Sequence, residues 1–213
     1  MSRAFRLGIT GKIGSGKSTL SEIARSKGIR VLEADTIAKD VMNSDPSLRA
    51  GIESLFGKEA YINGTLNRGY LASKIFSDES LRLKLEAIVH PVTLQVFEAE
   101  FSKAKTGEII ALESAILFQT GLEEIFDAVI LVDAKDETVI AREEALGKFK
   151  RDDIMNRLKG QNYQADFKQD ADFVITNDGS VEDFTKRSMA VIELVTIISQ
   201  TELPQQPLRM IIE

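Results

Sequence analysis

Short runs of apolar residues recur along the chain, and segments with apolar residues at helical spacing separate them. The runs predict strands at residues 5–9, 29–33, 108–113, 128–133 and 173–176. They lack the alternation of apolar and polar positions that marks a half-exposed sheet, which is typical of parallel strands covered by helices on both faces. The pattern therefore predicts an α/β fold with three layers around a parallel central sheet.

The stretch from residue 36 to 106 has a helical pattern and holds no convincing strand. Asp45-Pro46 opens one predicted helix, because Asp caps helices well and Pro is tolerated at the first helical position. The Asn63-Gly64 pair predicts a turn, and the helical pattern that follows is expected to bend or restart at His90-Pro91. We interpret this stretch as a helical insertion.

The C-terminal part is predicted to contain one more helix and a loosely held end. Ser180 begins a segment that resembles a capping box, and Phe184 and Val191 then lie on one helical face. The tail from Leu203 contains Pro204 and Pro207, so we expect it to be a loosely held end.

The composition excludes several classes of protein. The 213 residues carry a net charge of −6, so a broad basic face for nucleic acid is not expected. There is no cysteine, which removes disulfides, thiolate metal sites and cysteine nucleophiles. No run approaches the roughly 18 apolar residues of a membrane span, and the N-terminus leads straight into the first strand without a signal peptide. We expect a cytoplasmic protein that binds neither nucleic acid nor membranes.

The segment from Gly11 to Ser18 fits G-x-x-x-x-G-K-[ST], the pattern of a phosphate-binding P-loop. Its glycines let successive backbone N–H groups turn inward toward phosphate oxygens. Lys17 can then reach the β- and γ-phosphates, and the Ser18 hydroxyl is placed for Mg²⁺. A glycine-rich turn is the structural alternative, but a strand before and a helix after the segment put phosphate at a helix N-terminus. The sequence predicts a site for ATP or GTP.

Carboxylates at predicted strand ends are candidates for the chemistry, since ligands gather at the C-terminal ends of parallel strands. Asp35 either orients a hydroxyl group and accepts its proton, or caps the helix at Thr36. Glu113 either holds a water bound to Mg²⁺ or is a solvated charge, and Asp133 is interpreted as structural. His90, the only histidine, is either a hydrogen-bonded structural residue or a contact for an anion or base.

Taken together, these features resemble the dephospho-coenzyme A kinase family. The matching pieces, in order, are residues 8–18, residues 31–38, Leu66-Asn67-Arg68, residues 85–91 ending in His90-Pro91, and Gln161 with residues 171–179. The P-loop is generic, whereas the Leu-Asn-Arg and His-Pro pieces in this order are specific to the family. The resemblance extends from about residue 6 to residue 195.

The resemblance implies transfer of the ATP γ-phosphoryl group to the ribose 3′-hydroxyl of dephospho-CoA, with Mg²⁺, in the final step of coenzyme A biosynthesis. It implies a P-loop nucleoside-triphosphate hydrolase-like core at residues 1–35, 107–137 and 165–200. The implied helical region at 36–106 binds the CoA side, residues 138–164 form a lid, and residues 201–213 form a tail. The implied partners are ATP and dephospho-CoA, and the expected assembly is a monomer or a small homo-oligomer.

The resemblance also implies roles for single residues. Asp35 is the implied catalytic base, acting with Lys17. The implied ATP-binding residues are Gly11, Ile13, Gly14, Ser15, Gly16, Lys17, Ser18, Thr19, Arg142, Asn177 and Gly179. The implied substrate-binding residues are Arg68, His90 and Pro91, and the implied metal ligand is Ser18.

The chain departs from the family's pattern at three places. Glu33 replaces the first Asp of the usual pair, and Gln119 replaces a Glu, which weakens any acidic role at that position. Arg142 fits the first Arg of the lid pair, but the second falls on Leu146. The basic residues expected to supply the missing charge are Lys148, Lys150 or Arg151, although Lys is a poorer bidentate clamp than Arg.

Three other functions stay open. A different small-molecule or nucleotide kinase would share this scaffold, and only Leu66-Asn67-Arg68 and His90-Pro91 argue against it. A GTP-driven switch predicts an Asn-Lys-x-Asp guanine reader, and residues 175–178 lack the Lys. A homologue that binds without catalysis is suggested by Gln119 and Leu146.

Overall fold

The structure, a computed structural model, describes residues 3–147, 149–161, 167–201 and 210–212, without the side chains of residues 76 and 77. The chain divides into two compact units. The first comprises Met1–Leu32 and Ala104–Glu213, and the second comprises Glu33–Lys103.

The helices and strands follow one another in this order. They are β1 (Phe5–Thr10), α1 (Lys17–Ser26), β2 (Arg30–Glu33), α2 (Ala34–Ser44), α3 (Pro46–Phe56), β3 (Tyr61–Ile62), β4 (Thr65–Leu66), α4 (Arg68–Ser77), α5 (Glu79–Lys103), β5 (Ile109–Glu113), β6 (Ala128–Asp133), α6 (Asp136–Leu146), α7 (Arg151–Lys159), β7 (Phe173–Thr176), α8 (Val181–Ser199) and β8 (Met210–Ile212).

A six-stranded sheet forms the centre of the first unit, in the order β2-β5-β1-β6-β7-β8. β1 pairs in parallel with β5 and β6, and β7 pairs in parallel with β6 and β8. This confirms the predicted parallel central sheet. The register places Ile9 beside Glu113 on one side and Ile130 on the other. Since β1 and β5 run in the same direction, Glu113 lies at the C-terminal end of these strands, next to the loop that follows β1.

Both faces of this sheet are covered, which explains why its strands show no alternation in the sequence. Leu7, Ile130 and Phe173 pack on one face with α1 and α8. Val129 and Val174 point to the other face, where Leu117, Phe118 and Ala171 are among the residues that cover them. The predicted α8 face is part of the first core, with Phe184, Val191 and Val195 all buried.

The second unit is helical and has a core of its own. The helices α2, α3 and α4 each pack against α5. Ile52 is fully buried at the centre, and Phe56, Leu66 and Val89 belong to the same cluster. A unit with this much apolar burial holds its four helices together by side-chain packing.

Side-chain caps fix where two of these helices begin. Asp45 Oδ1 accepts a hydrogen bond from Leu48 N at 2.7 Å, with Pro46 at the first helical position of α3, as the sequence predicts. Asn67 Oδ1 accepts a hydrogen bond from Tyr70 N at 3.2 Å and caps α4. The Asn67 of the Leu-Asn-Arg piece therefore has a structural role.

One expectation for the second unit is wrong, and another is wrong in part. β3 and β4 form a short antiparallel hairpin around Asn63-Gly64, so residues 36–106 are not free of strands. The register pairs Tyr61 with Leu66, both buried, and this packing stabilises strands too short for a sequence signal. Of the bend or restart expected at His90-Pro91, the restart does not occur, because helix α5 continues through Pro91. Pro in a helix interior costs about 3 kcal/mol, and burial of Phe97 and its neighbours on α5 offsets this cost.

The expectation of a loosely held tail is wrong for Met210–Ile212. These residues add an edge strand to the sheet, with Ile211 in register with Val174 of β7. Residues 202–209 and 213 of the predicted tail lie outside the described residues. Among the residues that the structure describes, no helix is both long and apolar enough to cross a bilayer.

Candidate nucleotide-binding site

The loop between β1 and α1 has the backbone shape that a P-loop requires. Gly11, Gly14 and Gly16 all have positive φ, at +147°, +65° and +110°. A Cβ atom at Gly11 would lie 2.3 Å from the carbonyl oxygen of Val132, so no side chain fits there. Ser15 N donates to Lys12 O at 3.2 Å and tightens the turn. Since α1 begins at Lys17, the loop delivers its ligand to a helix N-terminus, which favours an anion.

Two charged side chains of the predicted set lie at this loop. Lys17 Nζ donates to the carbonyl oxygen of Lys12 at 2.9 Å, which folds the ammonium group back over the loop. The Glu113 carboxylate, at the end of β5, accepts from Ser18 Oγ at 3.4 Å and from Ser21 Oγ at 2.7 Å. Of the two roles left open for Glu113, the contact with Ser18 favours the one beside a metal ion. Lys12, in turn, forms an ion pair with Asp136 at the start of α6.

A cleft of about 590 Å³ opens beside the loop. The end next to the loop is lined by Gly14, Gly16, Lys17, Ser18 and Thr19. Its other walls come from α6, the end of β7 and α8, and include Arg142, Glu143, Ala145, Leu146, Asn177, Val181 and Phe184. Leu146 is 60% exposed and Val181 is 76% exposed, so apolar surface faces solvent at this end of the cleft. The combination of an anion-binding loop and apolar walls suits a nucleotide.

Asn177 connects the P-loop to α6. Its Nδ2 donates to the carbonyl oxygen of Ser15 at 2.7 Å, and its Oδ1 accepts from Arg142 Nη2 at 3.2 Å. Arg142 Nη1 is buried and has no hydrogen-bond partner among the described residues.

Asp178, the residue after Asn177, forms hydrogen bonds with the start of α6. Its Oδ1 accepts from Lys135 N at 2.8 Å and from Thr138 Oγ1 at 2.9 Å. Burial raises the pKa of the Asp178 carboxyl, but these hydrogen bonds and the positive charges of Lys135 and Arg142 together lower that pKa below its ordinary value. The carboxylate is therefore the favoured form in the folded chain.

The structure brings together most of the predicted ATP-binding residues. Gly11, Ile13, Gly14, Ser15, Gly16, Lys17, Ser18 and Thr19 form the loop and the first turn of α1. Arg142 and Asn177 line the cleft beside them. Gly179 lies beyond the residues that line the cleft, exposed near Asp183 and Arg187 at the start of α8.

The predicted residues of the second unit lie on three of its helices. Asp35 is exposed in the first turn of α2, and Glu33 occupies the N-cap, so Asp35 is not the cap. Arg68 is exposed at the first position of α4. His90 is half-buried within α5, and Pro91 beside it is exposed.

Other residues singled out in the sequence make contacts outside the cleft. Asp133 forms an ion pair with Lys168 at 2.6 Å, in agreement with its structural interpretation. Arg151 pairs with Glu144 at 2.9 Å, Lys150 is exposed, and Gln119 is exposed in a short 3₁₀ turn. Lys148 and residues 162–164 of the predicted lid lie outside the described residues.

Three residues at the site could not be predicted as site residues from sequence motifs. Gln161 Oε1 accepts from Ile13 N at 2.9 Å, across 148 positions of sequence, and only the family resemblance points to it. Glu143 is 7% exposed against Gly14, where a Cβ would lie 3.1 Å from its Oε1. The spacing of apolar residues in α8 predicts Phe184 as a core residue. It also lines the cleft because of the way α8 packs.

Comparison with known proteins agrees with this geometry. The family model described as dephospho-CoA kinase matches residues 5–183. The chain belongs to the dephospho-CoA kinase family. A curated dephospho-CoA kinase of Salinibacter ruber is 36% identical over 193 residues, which are 89% of this chain and 97% of the relative.

Solved structures place the chain in the same group of folds. A Thermus thermophilus protein of known crystal structure superposes with a TM-score of 0.78 at 31% identity, covering 91% of this chain and 98% of that protein. The dephospho-CoA kinase of Campylobacter jejuni gives a TM-score of 0.65 at 25% identity, with coverage of 90% and 97%. The fold is that of a P-loop kinase, as the sequence predicts.

Proposed function

We propose that this chain transfers the γ-phosphoryl group of ATP to the ribose 3′-hydroxyl of dephospho-CoA and releases CoA and ADP. The observation that carries the proposal is the family match over residues 5–183, which begins in β1 and includes the whole P-loop. The acceptor is inferred from the relatives that carry this enzyme's name. The reaction is the last step of coenzyme A biosynthesis.

In this proposal the loop and Lys17 hold the triphosphate. Backbone N–H groups between Gly11 and Ser18 donate to phosphate oxygens, and the positive φ values of the glycines support that backbone shape. Lys17 neutralises charge on the β- and γ-phosphates. The apolar end of the cleft, near Leu146 and Val181, is assigned to the nucleoside.

Mg²⁺ fits the oxygen donors beside the loop. The Ser18 hydroxyl and the Glu113 carboxylate, 3.4 Å apart at their nearest oxygens, are ligands of the type that Mg²⁺ takes, directly or through water. The described residues contain no cluster of three or more His, Asp and Glu side chains for a metal. Mg²⁺ that binds with a nucleotide does not need one, since phosphates and waters complete its shell. When bound, the ion neutralises charge on the phosphates.

Asp35 is proposed as the catalytic base. It is exposed and follows β2 directly along the chain, so its carboxylate is open to an acceptor. As the bond from the γ-phosphorus to the bridging oxygen breaks and the new P–O bond forms, the hydroxyl proton passes to Asp35. Positioning of the hydroxyl supplies most of the effect, since a carboxylate is a weak base.

The second unit is proposed to bind dephospho-CoA through Arg68 and His90, with Pro91 beside them. Arg68 is exposed at the N-terminal end of α4, where a guanidinium group and helix N–H groups both favour an anion such as a phosphate. Residues 138–164 are proposed to act as a lid that closes over ATP and keeps water from the γ-phosphate.

The test is a coupled assay of ADP release from ATP and Mg²⁺, with and without dephospho-CoA, followed by mass identification of CoA. Parallel reactions with AMP, CMP and pantothenate as acceptors discriminate against other kinases on this scaffold. We expect ADP release that depends on dephospho-CoA and is lost in Lys17→Ala. ADP release that no acceptor stimulates, or that AMP, CMP or pantothenate stimulates more strongly, would refute the proposal.

A further inference from the structure

Asn177 directly follows β7, and it is a buried residue that lines the cleft. It is 5% exposed, and its backbone N–H donates to the carbonyl oxygen of Asp133 at 2.7 Å, which fixes the main chain. The Nδ2 atom donates to the Ser15 carbonyl oxygen at 2.7 Å, and the Oδ1 atom accepts from Arg142 Nη2 at 3.2 Å. The side chain thus joins two segments that are far apart in sequence.

These contacts leave little of the amide for a ligand. An asparagine amide offers two N–H donors and a carbonyl oxygen with two lone pairs. One N–H donates to the P-loop and the oxygen accepts from Arg142, so both polar atoms of the buried side chain bond to protein. The family resemblance implies Asn177 as a direct ATP contact, and the hydrogen bonds of the structure favour a different role.

The P-loop is shaped to receive this side chain. A Cβ atom at Gly16 would lie 2.4 Å from Asn177 Nδ2, closer than any side chain can approach. Gly16 also has φ of +110° and precedes the first residue of α1. The glycine that opens the helix therefore leaves space both for phosphate and for Asn177.

Arg142 is the group that this contact orients. Its Nη1 atom is buried without a hydrogen-bond partner among the described residues, and the residue lines the cleft. A buried, unpaired N–H of a charged group is unfavourable, so such a group is normally paired when its ligand is present. Holding Nη2 in place leaves Nη1 as the donor for that ligand.

We propose that Asn177 is a positioning residue that ties Arg142 of α6 to Ser15 of the P-loop, so that the arginine donates to a nucleotide held by the loop. The inference rests on the proposed function only in taking a nucleotide as the occupant of the cleft. Asn177 acts through Arg142, and its effect on binding depends on the presence of that guanidinium group.

A double-mutant cycle on the full chain tests this dependence. We would measure the affinity of a non-hydrolysable ATP analogue, with Mg²⁺, by titration calorimetry for the unmodified chain, Asn177→Ala, Arg142→Ala and the double variant. We expect Asn177→Ala to weaken binding about 10-fold when Arg142 is present and less than about 2-fold in the Arg142→Ala background. Equal losses in both backgrounds would overturn the inference, because a direct contact with ATP does not need Arg142.

Two further variants keep the result interpretable. Asn177→Leu has a similar size and removes both hydrogen bonds of the amide, so it replaces Asn177→Ala in the cycle if that variant does not fold. Gln200→Ala removes an exposed side-chain amide at the end of α8, away from the cleft, and is the matched control, which should bind like the unmodified chain. Absence of nucleotide binding by the unmodified chain would refute the proposed function, whereas binding with an additive cycle would refute only the inference.

Discussion

Glu113 places a negative charge beside the loop that is shaped for phosphate. Two like charges 4 Å apart repel each other by about 1 kcal/mol in water and about 4 kcal/mol in the effective dielectric of a protein surface. Hydrogen bonds from Ser18 and Ser21 hold the carboxylate beside the loop. A cation between the two groups turns this repulsion into attraction, and this favours the metal role of Glu113.

Replacing Glu113 by Gln should therefore raise the Mg²⁺ concentration that the reaction needs. The amide keeps the shape of the side chain and removes its charge. We expect the Mg²⁺ concentration for half-maximal rate to rise about 10-fold, measured from initial rates at saturating ATP. Asp133→Asn, another carboxylate at a strand end, is the matched control and should leave the Mg²⁺ dependence unchanged. An unchanged dependence in Glu113→Gln would assign its carboxylate a purely structural role.

The role of Asp35 can be separated from ATP binding. Asp35→Ala removes the group proposed to orient the acceptor hydroxyl, and general-base groups typically contribute 10²–10⁴-fold. We expect kcat to fall by about 10²-fold or more, with the affinity for a non-hydrolysable ATP analogue nearly unchanged. Asp40→Ala, an exposed carboxylate on the same helix, should behave like the unmodified chain. Turnover near the unmodified level in Asp35→Ala would exclude Asp35 as the base.

At the scale of elements, the junction of β7 and α6 depends on one carboxylate. Asp178, which follows β7, accepts hydrogen bonds from Lys135 and Thr138 and so fixes the start of α6. Its lowered pKa means that the folded chain binds the proton less tightly than the unfolded chain does. The stabilisation is therefore present above the unfolded-state pKa and is lost as the pH falls through the folded-state value.

We expect Asp178→Asn to lower the free energy of unfolding at pH 7 and to flatten its decline below about pH 4. Urea unfolding at pH 7 and at pH 3 measures both effects. Asp170→Asn removes an exposed carboxylate of the same segment and is the control for net charge. An unchanged acid decline in Asp178→Asn would show that this carboxylate does not contribute to pH-dependent stability.

The elements that the sequence predicts well are those with local causes. The P-loop follows from its glycines, and the start of α3 follows from Asp45-Pro46, because caps and turns depend on neighbouring residues. The elements that it predicts poorly depend on distant partners. β8 is a strand because Ile211 pairs with Val174, and Gln161 reaches Ile13 only after the chain has folded. The spacing of hydrophobic residues near these positions does not predict such pairings.

At the scale of the whole molecule, each unit has its own core. The first is built on the sheet around Leu7 and Ile130, and the second is built on the helices around Ile52. The residues proposed for ATP belong to the first unit, whereas Arg68 and His90 belong to the second. Separate cores allow ligands to stabilise the two units separately, since each ligand stabilises the region that it contacts.

Hydrogen exchange measured by mass spectrometry tests this division. A non-hydrolysable ATP analogue should slow exchange in peptides that cover the P-loop and α6, because ligand binding suppresses local opening. Dephospho-CoA should slow exchange in peptides that cover Arg68 and His90, and Arg68→Ala should lose that protection while keeping the effect of the ATP analogue. Pantothenate alone, which lacks the phosphates, is the ligand control. Protection by dephospho-CoA confined to the first unit would contradict the assignment of the helical unit to the acceptor.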